Sequence, residues 1–363
     1  MHFPIFRASA VAGALMAAIT ASALPQSHDK RANACNNSPT LCERHYNEVT
    51  YLGAHNSYAL RDESTDGSLF GNQYLNATLA LDAGLRLLQT QTHEGNSTLE
   101  LCHSSCDMLD AGPLENWLTK INAWMDENPN EVVTVIVVNS DSAPPSEFNR
   151  VLQSSGIANK AYQSTTGAPS GSWPTLQKMI DDNQRFVLFV TNIDYSADAP
   201  SVLPEFDFVF ETAYEVTEIS GFNCTVDRPS RITDGATAVS SNYLSLANHF
   251  KYQQVMGDIQ LPDVETIETV NSASTEEQGN LGLHLQQCNQ EWNSVPNFVL
   301  VDFWNEGEPL AAVDTMNKIK DATGRTEAKS GDDDTSAAGR VGAGRMGYGV
   351  LAAFALPAAM LLV

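Results

Sequence analysis

The chain has 363 residues, 44 of them acidic and 20 basic, for a formal net charge of −24. That balance excludes a nucleic-acid-binding face, which needs clustered Lys and Arg. It also argues against electrostatic docking on an anionic lipid surface.

In chain order, residues 1–23 read as a secretory signal peptide. Arg7 precedes an apolar stretch from Ala8 that closes on Ala21-Ser22-Ala23. The stretch falls short of the roughly 20 residues a membrane-spanning helix needs. Lys30-Arg31 makes 24–34 a candidate pro-segment. From 35 to 322 no linker, charge block or repeat interrupts the chain, which suits one large domain. Strand-like apolar runs recur at Val49–Gly53, Leu85–Gln91, Val132–Val138, Phe186–Thr191, Phe206–Phe210 and Phe298–Phe303. Helical patterns alternate with several of them, at Pro113–Asn128, Ser146–Ser154, Trp173–Asp182 and Pro309–Lys320. Alternation of this kind predicts an α/β fold with a mainly parallel sheet, a TIM-type (β/α) barrel. Residues 223–280 read as long loops with short elements. Residues 323–347 form a polar linker and spacer, and 348–363 an apolar tail. Small residues, a spacer and a terminal apolar tail make a glycosylphosphatidylinositol (GPI) attachment signal. The attachment is expected at Ser336, with Gly339 or Ser330 as alternatives; a short tail-anchor helix is the rival reading.

Secretion gives the six cysteines an oxidising setting. Proximity favours Cys35–Cys42 and Cys102–Cys106, which leaves Cys224–Cys288, although spacing alone does not fix connectivity. A zinc site using Cys102, His103 and Cys106 is the rival. Four sequons, at Asn36, Asn76, Asn96 and Asn223, are candidate glycosylation sites.

In a parallel barrel the polar residues at the strands' C-terminal ends form the active face. Here these are His55 and Asn56, Gln89 and Gln91, His103, Asn139, Asn192 and Asp194, and Asp302. Each also has a plain reading as a turn residue. Two histidines at one such edge can serve as base and acid around a phosphate, because an imidazole pKa of about 6.5 allows both roles.

Several stretches resemble the X domain of phosphatidylinositol-specific phospholipase C. Gly53-Ala54-His55-Asn56-Ser57-Tyr58 is similar to that family's first histidine motif and Leu101-Cys102-His103 to its second. Gly84–Gln89 falls where the family has its second strand. Asp126–Val133 resembles its helix-to-strand passage, and Val299–Trp304 its last strand with an aspartate. The resemblance covers about Cys35 to Lys320 and is nearest to a fungal group of secreted, often lipid-anchored phosphodiesterases. It implies a distorted (β/α) barrel in a single domain. It also implies cleavage of a phosphodiester or phospholipid to a cyclic phosphodiester, without an organic cofactor. His55 would be the base, His103 the acid and Asp302 the partner that orients His55; Asn56, Gln89, Gln91, Asn139 and Asn192 would shape the substrate site.

The pattern departs from the family in one respect. Phosphate transition states carry negative charge that Arg, Lys or a metal must meet. The family uses an arginine on the second strand, or a calcium site built from acidic residues there and the Asn after the first His. This chain keeps Asn56 but places Gln89-Thr90-Gln91 on that strand, and neutral Gln is a poor calcium ligand. Arg86 has the opposite strand parity. Lys251 or His93 could fold in. Two functions therefore remain: a cell-surface or secreted phosphodiesterase, and a catalytically silent barrel binding an inositol phosphate, glycan or wall component. A metal-dependent glycerophosphodiesterase is a third, weaker reading.

Overall fold

The computed structural model describes residues 34–95, 98–256, 259–320 and 322–328. The signal peptide, Lys30-Arg31, the Asn96 sequon, Ser336 and the apolar tail lie outside these residues. Among the described residues no helix is long and apolar enough to cross a membrane.

The first four strands are β1 (Tyr51–Ala54), β2 (Leu87–Glu94), β3 (Leu99–Cys102) and β4 (Asp110–Pro113). Then come β5 (Val133–Asn139), β6 (Phe186–Val190), β7 (Val202–Pro204) and β8 (Val209–Glu211). The last are β9 (Leu244–Asn248), β10 (Tyr252–Met256), β11 (Ile259–Pro262) and β12 (Phe298–Val301). Eight of them pair in parallel, in the order β7-β6-β5-β2-β1-β12-β9-β8. This is the expected TIM-type barrel in distorted form: no ladder joins β7 to β8 among the described residues, so hydrogen bonding does not close the ring. Strands β3 and β4 extend β2 as an antiparallel excursion, and β10–β11 form a separate hairpin.

The strands are apolar on both faces because both faces are covered. Tyr51, Leu87, Ile136, Phe189, Leu246 and Leu300 pack together inside the barrel. Their sequence neighbours Leu52, Leu88, Val135, Leu188 and Val299 pack outward against helices such as Leu114–Glu127 and Leu281–Trp292. Gly53 faces inward where β1 and β2 come closest. A Cβ there would lie 2.5 Å from Leu87 Cγ, so only glycine fits.

Two stretches depart from the sequence reading. Phe206–Phe210 is not one strand: after Pro204, Glu205–Phe208 turns as a helix and only Val209–Glu211 is extended. The region read as loops holds β9, a full member of the barrel, which pairs with β12 and β8. All three expected disulfides form, at Cys35–Cys42, Cys102–Cys106 and Cys224–Cys288. The second takes up the thiols that a zinc site would have needed. Of the sequons, Asn223 is exposed. Asn76 caps the helix Ala77–Ala83 through Leu79 N–H. Asn36 does not fit the glycosylation call: it is buried, its Oδ1 accepts Val132 N–H at 2.7 Å, and its Nδ2 has no route to solvent.

Candidate active site

Register builds the first corner of the site. In the β1–β12 ladder Ala54 lies opposite Val301, so the next residues, His55 and Asp302, leave the two strands side by side. His55 N–H bonds Val301 O at 2.9 Å, which prolongs the ladder by one rung. The His55 Nδ1–H then donates to Asp302 Oδ1 at 2.8 Å. With its proton on Nδ1, the ring presents a bare Nε2 that can accept a proton. Asp302 is almost fully buried, at 1 % exposure, and both of its oxygens also accept from Asn72 Nδ2, at 3.1 and 3.2 Å. Asn72 Oδ1 in turn accepts from Asn56 Nδ2 at 3.1 Å. The ring face of His55 stacks on Phe250, with centroids 3.7 Å apart and planes within 3°. Gln73 Nε2 donates to the carbonyls of both His55 and Val301. The imidazole is thus fixed along its edge, across its face and through its backbone.

His103 arrives differently. It follows β3, in the antiparallel excursion rather than on a barrel strand, inside the tight loop closed by Cys102–Cys106. Its N–H bonds Leu109 O at 3.1 Å, and the Phe70 ring lies 6.3 Å from its own. Burial, and then the nearby His55, push its pKa down to about 4. His103 is therefore neutral at pH 7, and an anion beside it would draw a proton onto it.

The glutamines of β2 serve the fold of the site. Gln89 Oε1 accepts Asn56 N–H at 2.6 Å, which helps hold Asn56 at its left-handed φ of 41°. Gln91 bridges Ser140 Oγ, at 2.9 Å, and Ser104 N–H, at 3.3 Å, and so ties the His103 loop to the end of β5. With their amides engaged and no carboxylate at the inward positions of β2, these residues do not fit a calcium ion. No His, Cys, Asp or Glu cluster of metal-binding spacing lies at this corner among the described residues.

Other candidates lie elsewhere. Asn139 closes the loop after β5 by exchanging bonds with the backbone of Ala143, both at 3.0 Å. Asn192 donates to Asn139 O and lines a separate cleft of about 500 Å³ with Asp194, Asp207 and Arg231. Neither amide is hydrogen-bonded to His55 or His103 among the described residues. Arg86 points away, as its parity required, into a buried pair with Glu131 and a bond to Asn37. Lys251 is ion-paired with Asp263, and His93 lies 3.4 Å from Asp141. Sequence reading missed Asn72, Phe250 and, at the ends of β8 and β9, Glu211 and Asn248. Glu211 pairs with Arg228 and accepts from Asn248 Nδ2 at 2.9 Å. Finding β9 would have exposed Asn248 and Phe250.

Comparison with known proteins bears on the family and the fold. A family model described as PI-PLC X 1 matches residues 41–317. PI-PLC X domain-containing protein 1 of Arthroderma benhamiae is 35 % identical over 307 residues, 84 % of this chain and 95 % of that protein. An uncharacterized secreted protein of the same fungus is 33 % identical over 77 % of this chain and 62 % of its own length. Among solved structures, the phosphatidylinositol-specific phospholipase C of Listeria monocytogenes superposes with a TM-score of 0.51. It is 14 % identical over 76 % of this chain and 95 % of that one, a likeness of fold.

Proposed function

Because the chain belongs to the PI-PLC X domain family, we propose that it is a secreted phosphodiesterase acting through His55 and His103. The observation that carries this reading is the His55–Asp302 couple, with a second buried imidazole close enough for their charges to interact. His55 Nε2 takes the proton of a substrate hydroxyl adjacent to the phosphate. That oxygen attacks phosphorus, the bond to the leaving alcohol breaks, and His103 supplies the proton the alcohol needs. The products are a cyclic phosphodiester and a free alcohol. Asp302 keeps His55 in the productive tautomer and stabilises the imidazolium that forms. The phosphate's negative charge raises the His103 pKa, so that on substrate binding the ring takes up a proton from solvent and holds it for the leaving alcohol.

Inositol phosphodiesters, phosphatidylinositol among them, are the first substrates to try. The reaction needs no organic cofactor, and the engaged amides of Gln89 and Gln91 support a reaction without calcium. The same amides support the second reading, a silent barrel that binds a phosphorylated or glycan ligand. The signal peptide and the secreted relative support export, and the C-terminal pattern supports a GPI anchor at Ser336 on the outer cell face. Mass spectrometry of the mature protein checks the anchor: an intact apolar tail would sink it.

The test is head-group release from a panel of phosphodiesters, run with calcium and with chelator, beside His55→Ala and His103→Ala. Turnover that both substitutions reduce by about a hundredfold or more supports the enzyme. A folded protein that turns over nothing supports the binder.

A further inference from the structure

The chemistry just proposed leaves one requirement unmet, a positive charge for the phosphate. Three basic side chains belong to loops that follow barrel strands. Arg228 is ion-paired with Glu211 and lies 4.0 Å over the Tyr214 ring. Lys251 is ion-paired with Asp263, which further accepts from Thr266 and the Glu265 backbone. Arg61, in the loop after β1, has no carboxylate partner among the described residues. Its Nη2 donates to Leu69 O at 2.7 Å and its Nε to Gly71 O at 3.3 Å. The guanidinium lies 5.1 Å over the ring of Phe303.

These anchors locate Arg61 between the two histidines' supports. Phe303 directly follows Asp302, the partner of His55. Leu69 and Gly71 flank Phe70, whose ring faces His103. The Arg61 backbone N–H bonds Gln73 O at 2.8 Å, and the Gln73 side chain holds the His55 carbonyl. One short loop therefore sets the guanidinium beside residues that support both imidazoles. Gly71 permits this closeness: a Cβ there would meet the Leu60 backbone at 2.6 Å. Two backbone carbonyls and an aromatic face orient the group without neutralising it, and Nη1 has no hydrogen-bond partner among the described residues. Burial lowers the pKa of Arg61, and the fields of Tyr74 and Asp302 oppose that. A half-buried, unneutralised guanidinium with donors to spare suits a phosphate oxygen.

We propose that Arg61, reaching in from the loop after β1, supplies the phosphate-binding charge that the second strand of this chain lacks. The proposal rests on the phosphodiesterase reading for its catalytic consequence, and on geometry alone for phosphate binding. The loop contributes charge where β2 contributes uncharged struts, so the site keeps its histidine chemistry with a relocated cation.

Two measurements test it separately from the activity itself. The first is turnover of Arg61→Gln and Arg61→Lys on whichever diester the wild type cleaves, with melting temperature measured alongside. Arg61→Gln is expected to lose about a hundredfold or more in kcat, the scale of one lost transition-state donor. Arg61→Lys keeps the charge without the fork and is expected to recover part of that loss. The second is titration of inorganic phosphate, followed by NMR of the His55 and His103 ring protons, where Arg61→Gln should weaken binding about tenfold or more. Unchanged kcat and unchanged phosphate affinity in a folded Arg61→Gln protein overturn the proposal while leaving the histidine mechanism intact. Should Arg61→Gln not fold, Arg61→Met, which keeps the apolar stem and removes the charge, takes its place: a drop in kcat of about tenfold or more at an unchanged melting temperature supports the proposal, and wild-type kcat overturns it. If the wild type cleaves nothing, the phosphate titration decides, with equal affinity in both proteins as the overturning result.

Discussion

Two pairs of buried histidines, His55 with His103 and His249 with His284, differ in whether a carboxylate is at hand. His55 has a carboxylate, Asp302 Oδ1, at 2.8 Å. His249 and His284 have only each other, Nδ1 to Nδ1 at 2.9 Å, and backbone carbonyls. His249 Nε2 faces Val270 O at 2.9 Å and His284 Nε2 faces Asn223 O at 3.1 Å. Two neutral imidazoles carry two N–H protons, while these three contacts ask for three. Burial, and for His249 also the neighbouring ring, nevertheless hold both rings neutral, with pKa values pushed down to about 3 and about 4. The comparison teaches what a carboxylate is for. With one, an imidazole can accept a proton and hold the charge during a reaction; without one, a buried histidine stays neutral unless a bound anion supplies the field, which a substrate phosphate would do for His103 and nothing does for His249 and His284.

Removing the carboxylate is the most direct way to break the contrast. Asp302→Asn should lower kcat about a thousandfold or more, because the amide favours the wrong tautomer of His55 and no longer stabilises its positive form. A pH–rate profile beside the wild type checks the cause. Retained activity would mean that His55 does not act through Asp302 and that the two histidine pairs are functionally alike.

The second pair should appear in stability rather than in rate. Its folded pKa values lie below the unfolded value of about 6.5, so the unfolded chain binds more protons between those limits. The stability these rings contribute is complete above about pH 6.5 and is lost as pH falls through about 4 and about 3, by a few kcal/mol in all. The groups facing the pair are the Phe222 ring, the Cys224–Cys288 disulfide and the carbonyls of Val270, Gly279 and Asn223, with no carboxylate among the described residues to rescue the charge. Denaturant melts of the wild type and His284→Asn from pH 7 to pH 4 test this. The substitution should flatten the acid limb and leave neutral-pH kcat within about twofold. An equally steep acid limb in both proteins would place the acid-sensitive groups elsewhere.

The two pairs were unequally legible in the sequence. His55, His103 and Asp302 stand in recognisable surroundings, next to strands whose apolar runs are long enough to read. The barrel was legible for the same reason, since strands covered on both faces are almost continuously apolar. Strand β9, Leu244-Ser245-Leu246-Ala247-Asn248, carries too few large apolar side chains to stand out; its neighbours β12 and β8 make it a strand. With β9 unseen, His249 and Phe250 had no place. Asn72 was missed because it reaches Asp302 from a loop, across 230 residues of sequence. Asn139 and Asn192 show the converse. Asn at a strand end serves the turn as readily as the substrate: Asn139 exchanges bonds with the Ala143 backbone in the loop after β5, while Asn192 donates to Asn139 O on the neighbouring strand.

Phe250 separates the two roles most finely, since its backbone neighbour is His249 and its ring lies flat on His55. A stacked aromatic pair is worth about 0.5–1.5 kcal/mol, and losing that much restraint from the transition state alone corresponds to about two- to tenfold in rate. Phe250→Leu keeps the site apolar and removes the flat face. It should lower kcat within that range, leave KM nearly unchanged, and leave the acid limb of the stability curve as steep as in the wild type. Should the acid limb change with it, the ring would be coupling the two histidine pairs, and the neutral pair behind the active site would have to be counted as part of it.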